Sequence, residues 1–161
     1  MPPDSRRVFG THRIRVTKVL NAPARYVYDW CTDYRSDDWK VARPGTHPRF
    51  RVVKLSPRRL LRIRLTTARG PDAAVAVDLI RLTPPFRWHT DQIDEEDLET
   101  VDYSVEPLGR DRTRIVVSVV ERWMVPQHLT RSGTAARVRG AWDRYAGLIE
   151  SRYRRGLPAK G

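Results

Sequence analysis

The stretch that decides the fold runs from residue 11 to residue 34 and reads THRIRVTKVLNAPARYVYDWCTDY. Its first half alternates polar residues with apolar residues of one parity, as a half-buried strand does: Ile14, Val16, Leu20. At Pro23 the period changes to that of one helix face: Pro23, Val27, Trp30, Cys31, Tyr34. Proline fits a first helical turn, and Asn21 is predicted to cap that turn. The stretch therefore predicts a strand, an abrupt turn and a short aromatic helix.

This opening resembles that of the START and polyketide cyclase/dehydrase superfamily (SRPBCC), whose fold is shared with the birch-pollen allergen. Its members often begin with a strand, an Ala-Pro turn, a helix carrying Val-Tyr or Val-Phe and a later aspartate, and then a tryptophan. The matching residues here are Ala22-Pro23, Val27-Tyr28, Asp33 and Trp39. The resemblance implies an α+β helix-grip fold, in which a curved antiparallel sheet wraps around a long C-terminal helix.

The middle of the chain follows the same plan. Alternating segments separated by Gly, Pro and Asp turns predict a meander of six further strands between Phe50 and Trp123. The clearest hairpin joins Leu98–Leu108 to Thr113–Trp123. The segment Ala73–Leu82 is apolar on both parities, which favours a strand that is covered on both faces.

A long helix is predicted at the end of the chain, from about Ser132 to Arg155. Its apolar residues repeat at intervals of three and four, which gives one stripe: Ala135, Val138, Trp142, Tyr145, Ile149. Thr130 or Ser132 is predicted to cap its start, and Gly156 to end it. We therefore divide the 161 residues into a flexible arm (1–10), a single domain (11–156) and a short tail (157–161).

The composition, 40% hydrophobic and 31% charged, is that of a soluble globular chain. The longest apolar run, Ala73–Val77, is far too short to span a bilayer, and we expect no signal peptide. A single cysteine, Cys31, permits no internal disulfide. These features predict a cytoplasmic location.

The net charge of +12 comes from 27 arginines and four lysines against 19 acidic residues. Such a balance describes either a merely basic, well-solvated surface or a surface that attracts the phosphates of RNA or of an acidic membrane. Seven of the 19 acidic residues lie in the segment Asp91–Asp102, which we expect to face away from any polyanion.

The family resemblance implies a cavity between the sheet and the last helix, and therefore a hydrophobic ligand such as a lipid, an isoprenoid or a polyketide. The strands are predicted to line it with inward side chains: Leu61, Ile63, Leu65, Val101, Tyr103, Val117, Val119. The helices are predicted to add aromatic rings: Trp30, Trp142, Tyr145. Such pockets are mostly apolar, with a few polar groups that orient the ligand. The alternative is that these side chains simply fill the core.

Glu121 is the one polar residue that we assign to the cavity, because it shares its parity with Val117 and Val119. There it is a candidate acid, base or ligand-orienting group. Alternatively it lies at the strand end in solvent or pairs with an arginine. Asp78 is a weaker candidate of the same kind.

We expect no metal and no cofactor, because the four histidines are scattered and no glycine-rich phosphate loop occurs: His12, His47, His89, His128. The first hypothesis is therefore a binder of a hydrophobic small molecule. The second is an enzyme of the polyketide cyclase/aromatase type, which would need several polar groups inside. The third is a basic adaptor for RNA, the ribosome or an acidic membrane, since arginines and aromatics interleave at residues 87–89 and 152–155.

Overall fold

A computed structural model of the chain describes residues 10–36, 49–67, 73–126 and 130–160. Within them the chain forms seven strands and two helices: β1 (Gly10–Leu20), α1 (Ala24–Thr32), β2 (Arg49–Ser56), β3 (Arg59–Thr67), β4 (Ala73–Thr83), β5 (Arg87–Ile93), β6 (Asp97–Gly109), β7 (Arg112–Trp123) and α2 (Arg131–Arg154). The strands form one antiparallel sheet in the order β1-β7-β6-β5-β4-β3-β2. The predicted arm, apart from Gly10, and Trp39 lie outside the described residues.

The turn from β1 into α1 forms where the sequence predicts it, but with a different cap. Pro23 is the N-cap residue, with φ −61° and ψ 146°, and its carbonyl accepts the N–H of Val27 at 3.0 Å. The prediction that Asn21 caps this helix is wrong, because Asn21 lies two residues before the N-cap position. Its backbone N–H and side-chain amide instead donate to the carboxylate of Glu150 in α2, at 2.7 and 3.2 Å.

The last helix, α2, has the predicted cap and the predicted buried stripe. The hydroxyl of Thr130 accepts the N–H of Gly133 at 3.1 Å, which satisfies one free donor of the first turn. Gly156 follows the helix with φ +67°, a left-handed conformation that favours glycine. Trp142, at 7% exposure, is buried with most of the stripe: Ala135, Val138, Ile149. The α+β helix-grip prediction is confirmed.

The core lies between α2, α1 and the inner face of β1, β7 and β6. The inward residues of these strands are mainly apolar, and burying them against the two helices favours closure of the sheet around α2. The buried strand residues are Ile14, Val16, Leu20, Val101, Val105, Ile115, Val117 and Val119. This half of the sheet has the parity that the sequence predicts.

In β3 and β4 the parity is the reverse of the prediction. Residues directly opposite each other in antiparallel strands share a face, and one such row crosses the sheet: Ile14, Val119, Val101, Thr90, Ile80, Leu60. Leu60 is therefore the inward residue. The assignment of Leu61, Ile63 and Leu65 to the cavity is wrong, because these three half-buried side chains lie on the outer face.

The strand β4 is not covered on both faces as its sequence predicts. Val75, on the outer face, is 41% exposed. Ala76, Asp78 and Ile80, on the inner face, are buried. The outer face of β3 and β4 thus carries an apolar patch, and their inner face carries the charged Arg62 and Asp78 among apolar residues.

Candidate aromatic and polar recess

A continuous series of aromatic rings crosses the space between the sheet and the helices. We call this series the aromatic wall: Trp30, Tyr145, Trp142, Tyr103, Trp88, Tyr28, Phe86. Trp88 and Tyr103 are cross-strand partners whose rings stack at 4.5 Å with an angle of 6° between their planes. Tyr103 then meets Trp142 of α2 at 6.0 Å, which ties the sheet to the helix. The other neighbouring rings are 5.5 to 6.3 Å apart, within the range of favourable aromatic contacts.

A row of polar side chains runs beside this wall, on the same inner face. We call it the polar belt, and the strand register defines it: His12, Glu121, Glu99, Gln92, Asp78, Arg62. Each member lies directly opposite the next on a neighbouring strand. A row of six polar residues on the concave face of a sheet is unusual, because inward positions normally carry apolar side chains.

Three side chains of this region are partly accessible and yet strongly desolvated. Tyr34, Tyr103 and Glu99 each keep part of their surface accessible to water. Desolvation nevertheless raises the pKa of both tyrosine hydroxyls, and it also raises the pKa of Glu99, against the opposing effect of Arg137. Groups that are accessible but shielded from bulk water are expected to line a recess rather than the outer surface.

At one end of the belt, Arg62 and Asp78 form a buried ion pair. The Nε of Arg62 donates to Oδ2 of Asp78 at 2.6 Å, and Asp78 is fully buried. The guanidinium also lies over the rings of Tyr34 and Phe50, at 5.1 and 5.5 Å from their centroids. The second carboxylate oxygen, Oδ1 of Asp78, is buried and finds no hydrogen-bond partner among the described residues.

At the other end, Glu121 anchors the first turns of α2 to the sheet. It is buried, as its parity predicts, and it accepts hydrogen bonds from Thr134 at 2.9 Å and from Arg137 at 2.7 Å. His12 shares the hydroxyl of Thr134, with Nδ1 at 3.0 Å. Arg137 also binds Glu99, at 3.1 Å. The arrangement makes Glu121 a structural anchor, and its role as an acid, base or ligand-orienting group stays a prediction.

Asp97 adds a third carboxylate at this end. It lies two residues before Glu99 in β6, on the same face, and is buried. Burial, together with the neighbouring carboxylates of Asp94, Glu121 and Glu99, raises its pKa to about 7. A carboxyl in this setting exchanges its proton near neutral pH.

The structure brings together eight of the eleven residues that the sequence assigns to the site: Trp30, Val101, Tyr103, Val117, Val119, Glu121, Trp142, Tyr145. Leu61, Ile63 and Leu65 stand apart on the outer face. The sequence patterns did not indicate four belt residues, His12, Arg62, Gln92 and Glu99, or the neighbouring Tyr34. The alternation in β3 indicated two faces, but only the register counted across four hairpins shows which face is inside.

The described part of the chain indicates neither a metal centre nor a membrane-spanning helix. Among the described side chains, no group of three or more His, Cys, Asp or Glu is placed to hold a metal ion. None of the helices within the described ranges is long and apolar enough to cross a membrane.

No protein-family model matches the sequence, and no curated protein matches it. Solved structures match over nearly the whole chain. The Zhui aromatase/cyclase from Streptomyces sp. R1128 is 14% identical, with a TM-score of 0.67, over 89% of this chain and 96% of that one. Ara h 8.0201 is 11% identical, with a TM-score of 0.67, over 88% and 99%.

A START superfamily protein from Mycobacterium smegmatis is 16% identical, with a TM-score of 0.64, over 88% of this chain and 96% of that one. At these identities the likeness establishes the fold alone. The chain has the helix-grip fold of the START and polyketide cyclase superfamily, as the sequence resemblance predicts. Aromatase/cyclases and a START superfamily protein both occur among the structures that share it.

Proposed function

We propose that this protein binds an apolar small molecule of the lipid, isoprenoid or polyketide type between the inner face of the sheet and α2. The observation that carries the proposal is the meeting of the aromatic wall and the polar belt around accessible but desolvated side chains, Tyr34, Tyr103 and Glu99. Aromatic surface suits the apolar body of a ligand, and a few fixed polar groups suit its head.

The Arg62–Asp78 pair is the group best placed to orient such a ligand. Asp78 holds the guanidinium through Nε, which fixes a positive charge on the inner face beside the rings of Tyr34 and Phe50. Oδ1 of Asp78, buried and without a partner among the described residues, can accept from a ligand hydroxyl. The ligand that fits this site is therefore apolar with one oxygen-bearing end.

Two consecutive residues of β5 offer a matched test. Gln92 faces inward in the polar belt, and Ile93, 49% exposed, faces outward. An environment-sensitive apolar dye or a fatty acid should bind at about one per chain, and Gln92→Trp should block it. Ile93→Trp adds the same bulk outside and should leave binding unchanged.

Binding that survives Gln92→Trp but is lost in Ile93→Trp would place the site on the outer face. Val117→Trp and Val119→Trp should also block binding, but both positions are buried, so thermal unfolding must first show that these variants fold. Native mass spectrometry of freshly purified protein identifies the class of any co-purified ligand.

A polyketide cyclase/aromatase activity is the second candidate. The polar belt and the neighbouring Tyr34 favour it. Tyr34, Arg62 and Glu99 give the recess more hydrogen-bonding groups than the sequence indicated. In an enzyme, Tyr34→Phe or Glu121→Gln should lower turnover of a poly-β-ketone substrate by ~10²–10⁴, the usual contribution of a positioned acid or base. In a carrier, the same changes should alter ligand affinity only modestly.

A basic adaptor for RNA, the ribosome or an acidic membrane is the third candidate, and the cytoplasmic location also stays a prediction. The adaptor candidate concerns the outer surface and is independent of the interior site. Binding to RNA that falls steeply with salt and persists in Gln92→Trp would favour the RNA form of this candidate.

A further inference from the structure

Three hairpin turns and the end of α2 lie at one end of the molecule. We call this the turn end: the β2–β3 turn (56–59), the β4–β5 turn (83–87), the β6–β7 turn (109–112) and residues 153–160. Antiparallel register places the three turns side by side, and the N–H of Leu82 donates to the carbonyl of Arg58 at 2.8 Å. The hydroxyl of Tyr153 donates to Asp111 at 2.6 Å, which brings the end of α2 to the same place.

The turn end is strongly cationic. It carries exposed basic side chains that pair with no carboxylate among the described residues: Lys54, Arg58, Arg59, Arg87, Arg110, Arg112, Arg154. The carboxylates at this end are each engaged: Asp29 with Arg25, Glu106 with Arg114, Asp111 with Tyr153, and Glu150 with Asn21. Asp111 and Glu150 are bonded to neutral groups and keep their charge, so two carboxylates stand against the seven cations and the turn end has a net positive charge.

The opposite end of the sheet carries the densest group of acidic residues. The β5–β6 turn, from Asp94 to Asp97, contains four consecutive carboxylates, as the concentration of acid in residues 91–102 predicts. Because β5 and β6 run the length of the sheet, this turn lies at the end away from the three cationic turns. The chain is thus polarised along its strands, and an anionic surface would attract it with the turn end foremost.

The turn end also exposes apolar side chains at its tips. Leu55, Leu108 and Leu157 are 54%, 40% and 37% exposed. They belong to the β2–β3 hairpin, the β6–β7 hairpin and the segment after α2. The aromatic rings in the described part of this end are half-buried: Phe86 lies in the β4–β5 turn, and Tyr26 and Tyr153 pack against each other at 5.1 Å.

We propose that the turn end docks on an anionic lipid membrane surface. Phosphate headgroups would attract the arginines, and the three leucines would enter the boundary between headgroups and acyl chains. Exposed leucines favour a membrane over single-stranded RNA, which is held by basic grooves with exposed aromatic rings for stacking. This proposal depends only on the outer surface. Membrane docking can therefore be wrong while the interior ligand site is correct, and the interior site can be wrong while membrane docking is correct.

The charge of the turn end is tested with vesicles of phosphatidylcholine alone and of phosphatidylcholine with phosphatidylglycerol, by flotation. The full chain should float with the anionic vesicles and only weakly with the neutral ones. Arg58→Gln/Arg59→Gln should weaken this binding by about 30-fold, because each basic residue near the surface contributes to it separately. Arg13→Gln/Arg15→Gln, which changes the net charge equally on exposed residues of β1, should leave the binding within about twofold.

The leucines are tested with a second matched pair. Leu55→Ser/Leu108→Ser should weaken binding to anionic vesicles by about tenfold, through lost apolar burial. Val75→Ser/Ile93→Ser removes similarly exposed apolar groups from the outer face and should have little effect. All four variants alter exposed positions, so circular dichroism and thermal unfolding should match the parent chain.

Three results would overturn the proposal. One is the absence of binding to the anionic vesicles. Another is an equal loss of binding in Arg13→Gln/Arg15→Gln, which would show diffuse attraction without a docking face. The third is tighter binding to a homopolymer RNA than to the vesicles, with no effect of the leucine substitutions, which would make the turn end an RNA surface.

Discussion

The two halves of the sheet differ in what their outer faces carry and in how mixed their inner faces are. In β1, β6 and β7 the inward residues facing α2 are mainly apolar, such as Val16 and Val117, and the outward ones are mainly polar. In β3 and β4 the inner face carries the Arg62–Asp78 pair among apolar residues such as Ile80, and the outer face carries aliphatic residues such as Ile63. The halves differ because the helices cover only the first of them closely.

This difference teaches that alternation alone does not tell the inside of a curved sheet from its outside. Where a helix packs directly on the strands, apolar side chains must face it to be buried. Where the sheet curls away from the helix, inner positions are free to carry polar groups, and these can serve a ligand. The half of the sheet that departs from the usual pattern is therefore the half in which we expect the ligand's polar end to bind.

The largest expected effect on stability is at the contact between α2 and the strands that it covers, β1, β6 and β7. Trp142→Ala should lower the free energy of unfolding by ~3–5 kcal/mol, as truncation of a large buried side chain does. Ile63→Ala, on the half-buried outer face of β3, should cost only about 1 kcal/mol. Denaturant unfolding of both variants measures the contrast, and equal costs would show that β3 is covered on its outer face after all.

The next largest effect on stability concerns the Arg62–Asp78 pair on the inner face of β3 and β4. Arg62→Met leaves the fully buried carboxylate of Asp78 without its guanidinium and should cost about 3 kcal/mol. The double variant Arg62→Met/Asp78→Leu removes both charges and should recover most of that stability. A double variant as unstable as the single one would mean that the pair is needed for packing, and would weaken its assignment as a ligand-orienting group.

A smaller expected effect is a pH dependence of the folding stability, which arises from the carboxylates beside α2. The pKa of Asp97 rises from 3.8 to about 7 in the folded chain, chiefly through burial. The folded state thus holds a proton that the unfolded state releases between these two values, so this contribution to stability is complete below pH 4 and is lost as the pH rises through 7.

Asp97→Asn should therefore flatten the fall in stability between about pH 4 and pH 7, measured by denaturant unfolding at a series of pH values. Glu95→Gln changes an exposed carboxylate of the same turn and should keep the slope of the parent chain. A slope that is unchanged in Asp97→Asn would contradict the shifted pKa.

The order of the elements was predictable from the sequence. The change of period at Pro23 and the apolar stripe through Trp142 both depend only on local spacing. The buried Glu121 also follows from parity, counted along a single strand. The inner face of β3 does not follow from parity along one strand. It depends on the register between strands, which the sequence pattern does not specify. The Arg62–Asp78 pair joins residues on two strands, and single-strand patterns carry no signal for it.

The comparison of the two faces is tested most directly by photolabelling with a fatty acid that carries a diazirine near the end of its chain, followed by peptide mapping. The probe should label peptides of the inner face and of α2, around Tyr103 and Trp142. Excess unlabelled fatty acid should compete with this labelling. Labelling confined to the apolar outer face, at Leu61, Ile63 and Leu65, would contradict the assignment of the ligand site to the interior.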